Sequence, residues 1–244
     1  MMRVALVGAA GRTGRAVLVA CQADREVRCV AALASGTSAH LGRDAGELAG
    51  VGAIGVPLAS ELACSADVLV DFSVPAACAR WASLAAERGI PFVTGTTGLG
   101  EDEEAALRTA ACRIAVVRSP NMAPGVNLLL RLVHRAASVL GTEHDVSVLD
   151  VHHRHKRDVP SGTALALARE VEAARGAAPP IRSLRIGGRP GDHTVHFASE
   201  DETLALSHAT HDRRVFARGA LLAARWVQQR EPGLYDMQDV LFAD

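Results

Sequence analysis

Residues 3–14 constrain this chain more than any others. RVALVGA (3–9) is a short, apolar, partly β-branched run of the kind that forms a buried strand. It leads into Gly8-Ala9-Ala10-Gly11-Arg12-Thr13-Gly14 and then into a helical stretch over 13–24. Glycines at such a junction let the chain turn tightly, let backbone amides approach a pyrophosphate, and let helix pack on strand. The helix start adds N–H donors and partial positive charge. GxxGxxG by itself is weak, because glycine is common here. Set between a strand and a helix at the head of an alternating pattern, it points to a dinucleotide site. A tight turn with no ligand is the competing reading.

The alternation continues. Short strands are expected at 27–33, 67–73, 91–95 and 113–117, with an alanine-rich helix opened by Pro75 and running to Arg88. Another helix begins at Glu101-Asp102-Glu103-Glu104, where carboxylates suit the N-terminus. Strands alternating with helices predict an α/β fold, a Rossmann-type parallel sheet covered on both faces. Between 35 and 66 the pattern fades into glycine-rich loop, with a short helix near Glu47 and a short strand near Ile54. After Asn121 the rhythm changes to a helix at 125–140, a strand at 145–152, a helix at 161–174 and a turn at 176–180. Three segments at 181–186, 193–199 and 203–208 read as consecutive antiparallel strands, making a second, α+β domain. A last helix spans about 213–230.

The chain is 49% hydrophobic, enough for a substantial core, and its net charge of -1 gives no global attraction to nucleic acid or membranes. No apolar run reaches the ~18 residues of a membrane helix, and the run after Met1 is too short for a signal peptide. Five cysteines, at irregular spacing and without CxxC, read as free thiols in a reducing, cytoplasmic setting. Of 26 basic side chains only Lys156 is lysine. A lone lysine among arginines is a candidate for work a guanidinium cannot do, since arginine does not deprotonate.

The acid that reads an NAD ribose is expected ~20 residues past the last glycine of the loop. Ala34-Ser35-Gly36-Thr37-Ser38 stands there instead. A carboxylate would repel a 2′-phosphate; hydroxyls and glycine amides do not, and Arg12 is placed to approach. NADPH is therefore expected to be accepted alongside NADH.

Lys156 falls inside a basic run. His152-His153-Arg154-His155-Lys156-Arg157 follows a strand and leads through Asp158-Val159-Pro160 to Ser161, a natural helix N-cap before Gly162-Thr163. Cations before a helix start attract anions twice over, so a dicarboxylate could seat one carboxylate at Ser161–Thr163 and the other by the histidines. Reduction of a conjugated imine or alkene also needs a proton at the carbon next to the hydride. Histidine and lysine can supply it, and lysine crowded by cations would release it more readily. Three other readings compete. A zinc site lacks a distant partner cluster and any cysteine; a nucleic-acid patch lacks interleaved aromatics; the third is a solvated loop.

These residues resemble the 4-hydroxy-tetrahydrodipicolinate reductase (dihydrodipicolinate reductase) family of the diaminopimelate–lysine pathway. The similarity runs from Val4 to about Leu241. It is carried by VGAAGRTGR (7–15), DAGELAG (44–50), VDFSVP (70–75), GTTG (95–98), SPNMAPGVN (119–127), VHHRHKRDVPSGTA (151–164), GDHTVHFA (191–198) and GLYDMQDVL (233–241). The resemblance implies reduction of the cyclic product of aspartate-semialdehyde and pyruvate condensation to tetrahydrodipicolinate. It implies Gly8, Ala9, Ala10, Gly11, Arg12 and Thr13 at the cofactor pyrophosphate, and Gly95, Thr96, Thr97, Ser119, Pro120, Asn121 and Met122 on the nicotinamide side. Ser35 falls at the ribose. His152 becomes the acid/base residue, Lys156 the proton donor, and His153, Gly162 and Thr163 the substrate ligands; the helix-cap reading above adds Ser161 to these ligands, and no metal is expected. A discontinuous cofactor domain (1–123 plus 213–244), a substrate and oligomerisation domain (124–212), hinge closure and a homotetramer are implied as well. Two features depart from the family: Ala34 and Ser35 stand where many relatives carry an acid and a basic neighbour, and the stretch 176–191 is short. Another Rossmann oxidoreductase acting on a different imine, or a non-catalytic NAD(P)-binding regulator, would share the loop; the regulator would not need the His/Lys cluster.

Overall fold

The structure is a computed structural model and describes residues 1–242. The chain divides into two compact units, Met1–Met122 with the chain from Arg214 onward, and Ala123–Arg213.

The first unit begins with β1 (Met2–Val7), α1 (Arg12–Ala23), β2 (Val27–Leu33), α2 (Ala45–Ala49), β3 (Leu58–Ala59) and β4 (Val68–Asp71). It continues with α3 (Pro75–Arg88), β5 (Phe92–Thr94), α4 (Glu101–Ala111) and β6 (Ala115–Arg118). The second unit holds α5 (Pro124–Val139), β7 (Asp145–His152), α6 (Gly162–Arg175), β8 (Ile181–Arg185), β9 (Gly191–Ala198) and β10 (Thr203–Thr210). The chain then returns to the first unit as α7 (Arg214–Val227), β11 (Gly233–Tyr235) and α8 (Met237–Phe242).

Seven strands of the first unit form one parallel sheet in the order β11-β6-β5-β4-β1-β2-β3. Strand residues alternate between faces, and both faces are covered. Val4 and Leu6 pack with Val17, Leu18, Ala220 and Leu221 from α1 and α7, while Ala5 and Val7 share a core with Trp81, Ala85, Leu107 and Ala110 from α3 and α4. That two-sided burial explains why these strands read as near-continuous apolar runs. The expected helix near Glu47 is α2. Asp44 caps it, its Oδ1 accepting from Gly46 and Glu47 N–H, while its carboxylate also accepts from the N–H groups of Ile54, Gly55 and Val56. This corrects the strand expected near Ile54: that backbone donates to a side chain instead, and the strand forms later, at Leu58–Ala59.

The second unit is a four-stranded sheet, β10-β9-β7-β8. Leu129, Val133, Leu167 and Val171 from α5 and α6 share a core with Val148, Val195 and Phe197 from the strands. One expectation fails here. β8 does not pair with β9; it lies parallel to β7, while β9 runs antiparallel on the other side of β7 and pairs with β10. The reason is α6: a helix packed on the sheet between two strands returns the chain to start the second in the direction of the first. Among the described residues no helix is long and apolar enough to cross a membrane.

Candidate functional site

The carboxyl ends of the parallel strands carry the first candidate site, as expected for an open α/β sheet. Gly8 adopts φ +75°, and a Cβ there would lie 2.3 Å from the Phe72 carbonyl oxygen; at Gly14 it would lie 2.2 Å from the Gly8 carbonyl oxygen. Both positions therefore require glycine, one for conformation and one for the approach of α1 to the turn. Gly11 caps α1 with no side-chain hydrogen bond, so the first-turn N–H groups are left to an anion. Gly8, Ala10 and Gly11, with Ala34, Ser35, Gly36 and Ser38 beyond β2, and Phe72, Ser73, Val74, Ala76 and Ala77 beyond β4, line a cleft of about 680 Å³. A glycine turn, an uncapped helix start and a cleft of that size fit a dinucleotide.

Among the described residues no carboxylate lines this cleft, and the one charged lining residue is Arg80, whose guanidinium lies 5.0 Å over the Trp81 ring. Arg12 and Thr13 form the first turn of α1 and are not among the lining residues. Ala9 is fully buried in the core. Gly95, Thr96 and Thr97 follow β5, and Ser119, Pro120, Asn121 and Met122 follow β6, on the same edge of the sheet. Several of their side chains are committed to the fold. Thr96 Oγ1 donates to Asp71 Oδ2 at 2.7 Å, Ser119 Oγ donates to the Asn121 carbonyl at 2.9 Å, and Met122 is buried. Asp71, fully buried, also accepts from Thr94 and Ser73 and so organises this edge. Sequence reasoning missed Arg80 and Asp71; Asp71 sits in VDFSVP, where only the motif marked it.

The second candidate site lies wholly within the second unit. Ser161 caps α6, its Oγ accepting from Ala164 N–H at 3.2 Å. Gly162 follows, exposed, and a Cβ there would meet nothing within 4 Å, so the helix start is open. Thr163 is half-buried in the first turn. His152 ends β7 and is buried, its Nδ1 2.6 Å from Asp150 Oδ1 in an ion-pair approach; among the described residues neither atom makes an aligned hydrogen bond, with the other or with any third group. The other oxygen of Asp150 accepts from Ser161 N–H at 3.0 Å, Ser183 Oγ at 2.9 Å and Arg185 Nη2 at 3.0 Å. His193 Nε2 lies 3.0 Å from Ser161 Oγ and 3.5 Å from Asp150 Oδ1, and its ring meets that of His152 edge-on at 5.1 Å. His153 is half-buried, with its ring 6.3 Å from that of His155. Lys156 Nζ pairs with Asp158 Oδ2 at 2.8 Å, so its ammonium is matched by a carboxylate rather than crowded by cations alone.

The electrostatics follow from burial. Burial favours protonation of Asp150, but the Ser161 N–H, Arg185 and Ser183 outweigh it and hold the carboxyl down at about 2. Burial lowers His152; the Asp150 charge opposes it, and Lys156 and Arg185 add to it. Burial, helped by the charge of His152, pushes His193 down to about 4, so it is neutral near pH 7. Asp150, His152 and His193 bring one ligand atom each within 4.8 Å of one another. Arg185 already holds Asp150, and the 2.6 Å separation of Nδ1 and Oδ1 is closer than two ligands stand around a divalent ion of ~2.1 Å bond length. Asp150, Ser183, Arg185 and His193 were missed as a group, because only strand pairing brings them together.

A parallel sheet with a dinucleotide cleft, joined to a unit bearing a buried histidine, a lysine and an open helix start, defines a nicotinamide-dependent oxidoreductase. The comparisons narrow this. Residues 2–122 match the model for the dihydrodipicolinate reductase N-terminus and residues 125–241 that for its C-terminus. The chain is 43% identical over 263 residues to 4-hydroxy-tetrahydrodipicolinate reductase of Rhodopseudomonas palustris (strain TIE-1), covering 98% of this chain and 97% of that one. It is 42% identical over 264 residues to the enzyme of the same name from Rhizobium rhizogenes, covering 98% and 96%. The fold matches dipicolinate-bound dihydrodipicolinate reductase from Paenisporosarcina sp. TG-14 with a TM-score of 0.82 at 22% identity, over 98% of each chain. The chain belongs to the dihydrodipicolinate reductase family.

Proposed function

We propose that this protein reduces 4-hydroxy-tetrahydrodipicolinate to tetrahydrodipicolinate, with NADPH or NADH as the reductant, in the diaminopimelate route to lysine. The observation that carries the reading is the Asp150–His152 pair placed beside the Ser161 cap of α6 and followed in the chain by the lone lysine. A dicarboxylate needs two anion sites. The start of α6 at Gly162 and Thr163 receives one carboxylate, and His153 with the basic run receives the other. Loss of the 4-hydroxyl as water leaves a conjugated dihydrodipicolinate, and the reduced nicotinamide, when bound, would supply hydride to one of its carbons. Lys156 Nζ delivers the proton to the neighbouring carbon, and His152 acts as the acid/base group that balances it. Gly8 to Thr13 take the pyrophosphate, Ser35 the ribose, and 95–97 and 119–122 the nicotinamide side.

The reading extends to a cytoplasmic homotetramer whose units are 1–123 with 213–244, and 124–212. Five free cysteines support a reducing compartment. For assembly, Leu184 is 46% exposed on the sheet face away from α5 and α6, the face that also carries Leu149 and Val151 on β7, which leaves an apolar strip for a second copy. Light scattering checks the tetramer. Enzyme-dependent loss of reduced-nicotinamide absorbance, with substrate generated in situ from pyruvate and aspartate-semialdehyde, tests the reaction. Folded protein that binds NADPH but oxidises none of it would refute the function.

A further inference from the structure

The proposed chemistry gives no task to the buried carboxylate of Asp150 itself. We propose that Asp150 is the positioning residue for His152: it holds the imidazole by Nδ1, leaving Nε2 for the reacting atoms, and ties that histidine to the anion-receiving start of α6. This rests on the reading of His152 as the acid/base group.

The sheet register makes the arrangement. Asp150 and His152 lie two apart on β7 and so point to the same face. Across the ladder, Asp150 pairs with Ser183 on β8 and with His193 on β9, and His152 pairs with Arg185. The two carboxylate oxygens divide the work. Oδ2 takes three donors, from Ser161, Ser183 and Arg185. Oδ1 takes none of these and faces the imidazoles of His152 and His193. A carboxylate serving only to staple α6 to β8 would use Oδ2 alone. The 2.6 Å approach of Oδ1 to Nδ1 is what the staple does not need.

Burial sharpens the argument. Asp150 is 0% exposed, and an ionised carboxylate there is costly unless several donors and a cation compensate it. Arg185 is itself anchored, its Nη2 also donating to the Asp158 carbonyl. The fold thus assembles a counter-ion to keep Asp150 charged beside a histidine. At the far edge of the imidazole, a Cβ on Gly191 would come within 2.6 Å of Nε2, so the glycine leaves that nitrogen its space. The charged and titratable groups that face His152 are Asp150 on its own strand, Arg185 on β8, His193 on β9 and Lys156 from the loop after β7.

The test uses the full chain labelled at histidine nitrogen, with Asp150→Asn and Arg185→Met. Nuclear magnetic resonance reads the tautomer and midpoint of His152, and kcat and KM are followed across pH. In wild type the neutral ring carries its proton on Nδ1. Asp150→Asn removes the anion, so the proton redistributes toward Nε2, the midpoint falls, and kcat drops about tenfold to a thousandfold. Arg185→Met removes a cation but leaves the carboxylate, so the midpoint rises. Opposite signs are the signature, because general loosening of the site would move both variants the same way. An unchanged tautomer with kcat within about threefold in Asp150→Asn, or midpoints moving in one direction in both variants, overturns the proposal. If Asp150→Asn does not fold, the Arg185→Met midpoint decides alone: upward supports, unchanged or downward overturns. His152→Gln separates the two readings: full turnover there removes the acid/base role while leaving the resonance result on Asp150 intact.

Discussion

His193 should make this protein acid-sensitive over a defined interval. Its side chain is 5% exposed, Ser161 Oγ sits 3.0 Å from Nε2, and burial, with His152 beside it, holds its midpoint down at about 4 against an ordinary 6.5. The sign follows from which state takes the proton first. In the unfolded chain the imidazole protonates near 6.5, and in the folded chain only near 4. Between these values the unfolded state binds more protons, so stability falls as pH falls. It is complete above about 6.5, and the loss is finished below about 4. The gap between the midpoints, at about 1.4 kcal/mol per pH unit, amounts to on the order of 3 kcal/mol. Both tryptophans, Trp81 and Trp226, belong to the other unit, so fluorescence would report the wrong part. Amide exchange of β9 and β10, compared at about pH 7.5 and about pH 4.5 and corrected for intrinsic rates, reads the right one. Wild type should lose about 2–3 kcal/mol more than His193→Gln over that interval. A His193 midpoint of about 6 or above, or identical pH dependence in the two proteins, would show that burial does not hold the ring neutral.

Four further outcomes are expected. His152→Gln and Lys156→Ala should each lower kcat by about 10²- to 10⁴-fold, roughly 2.7–5.5 kcal/mol of barrier, with little change in melting temperature; activity within about threefold of wild type in both would reject their roles. Gly8→Ala should cost at least about 2 kcal/mol and abolish cofactor binding, because it meets the Phe72 carbonyl at 2.3 Å in a left-handed conformation; calorimetry checks both. Arg80→Ala should weaken NADPH about tenfold, or about 1.4 kcal/mol, while hardly changing NADH, since Arg80 is the cation, and no carboxylate stands, among the described residues that line the cleft; equal losses for both cofactors by titration calorimetry would assign it to the adenine instead. Gly191→Ala should reduce kcat with the fold retained, because the added methyl meets His152 Nε2 at 2.6 Å; unchanged kcat in a folded variant would mean that the ring is free to move.

The parallel sheet was legible because its strands are buried on both faces, which leaves an apolar run for each. Val68–Asp71 and Ala115–Arg118 announce themselves in that way. The edges were not. Leu58–Ala59 and Gly233–Tyr235 have two and three residues, too few for any periodicity, and exist because β2 and β6 offer ladder partners. Pairing direction was hidden for a different reason. Ile181–Arg185 alternates intermediate and exposed residues, which defines a face and not a neighbour, so a hairpin with the next strand and a crossover back to β7 look alike in sequence.

The candidate sites divide along the same line. The glycine turn and the histidine–lysine run are local: strand, special residues and helix start follow one another within a dozen positions, and their chemistry can be read in order. What sets the protonation of that run is not local. Asp150 sits two residues before His152 in plain view, yet its task depends on Ser183, Arg185 and His193, which reach it only through the ladders on either side of β7. Arg80 is similar, since nothing marks it out among 25 arginines until α3 turns that part of its surface to the cleft. Groups that meet a ligand can thus be proposed from spacing, whereas groups that tune them are fixed by sheet register. A one-residue slip of β8 would carry Ser183 and Arg185 to the opposite face and leave Asp150 buried without its cation. The residue proposed as acid/base group is therefore marked by a short motif, whereas the tautomer proposed for it would be a property of the whole sheet.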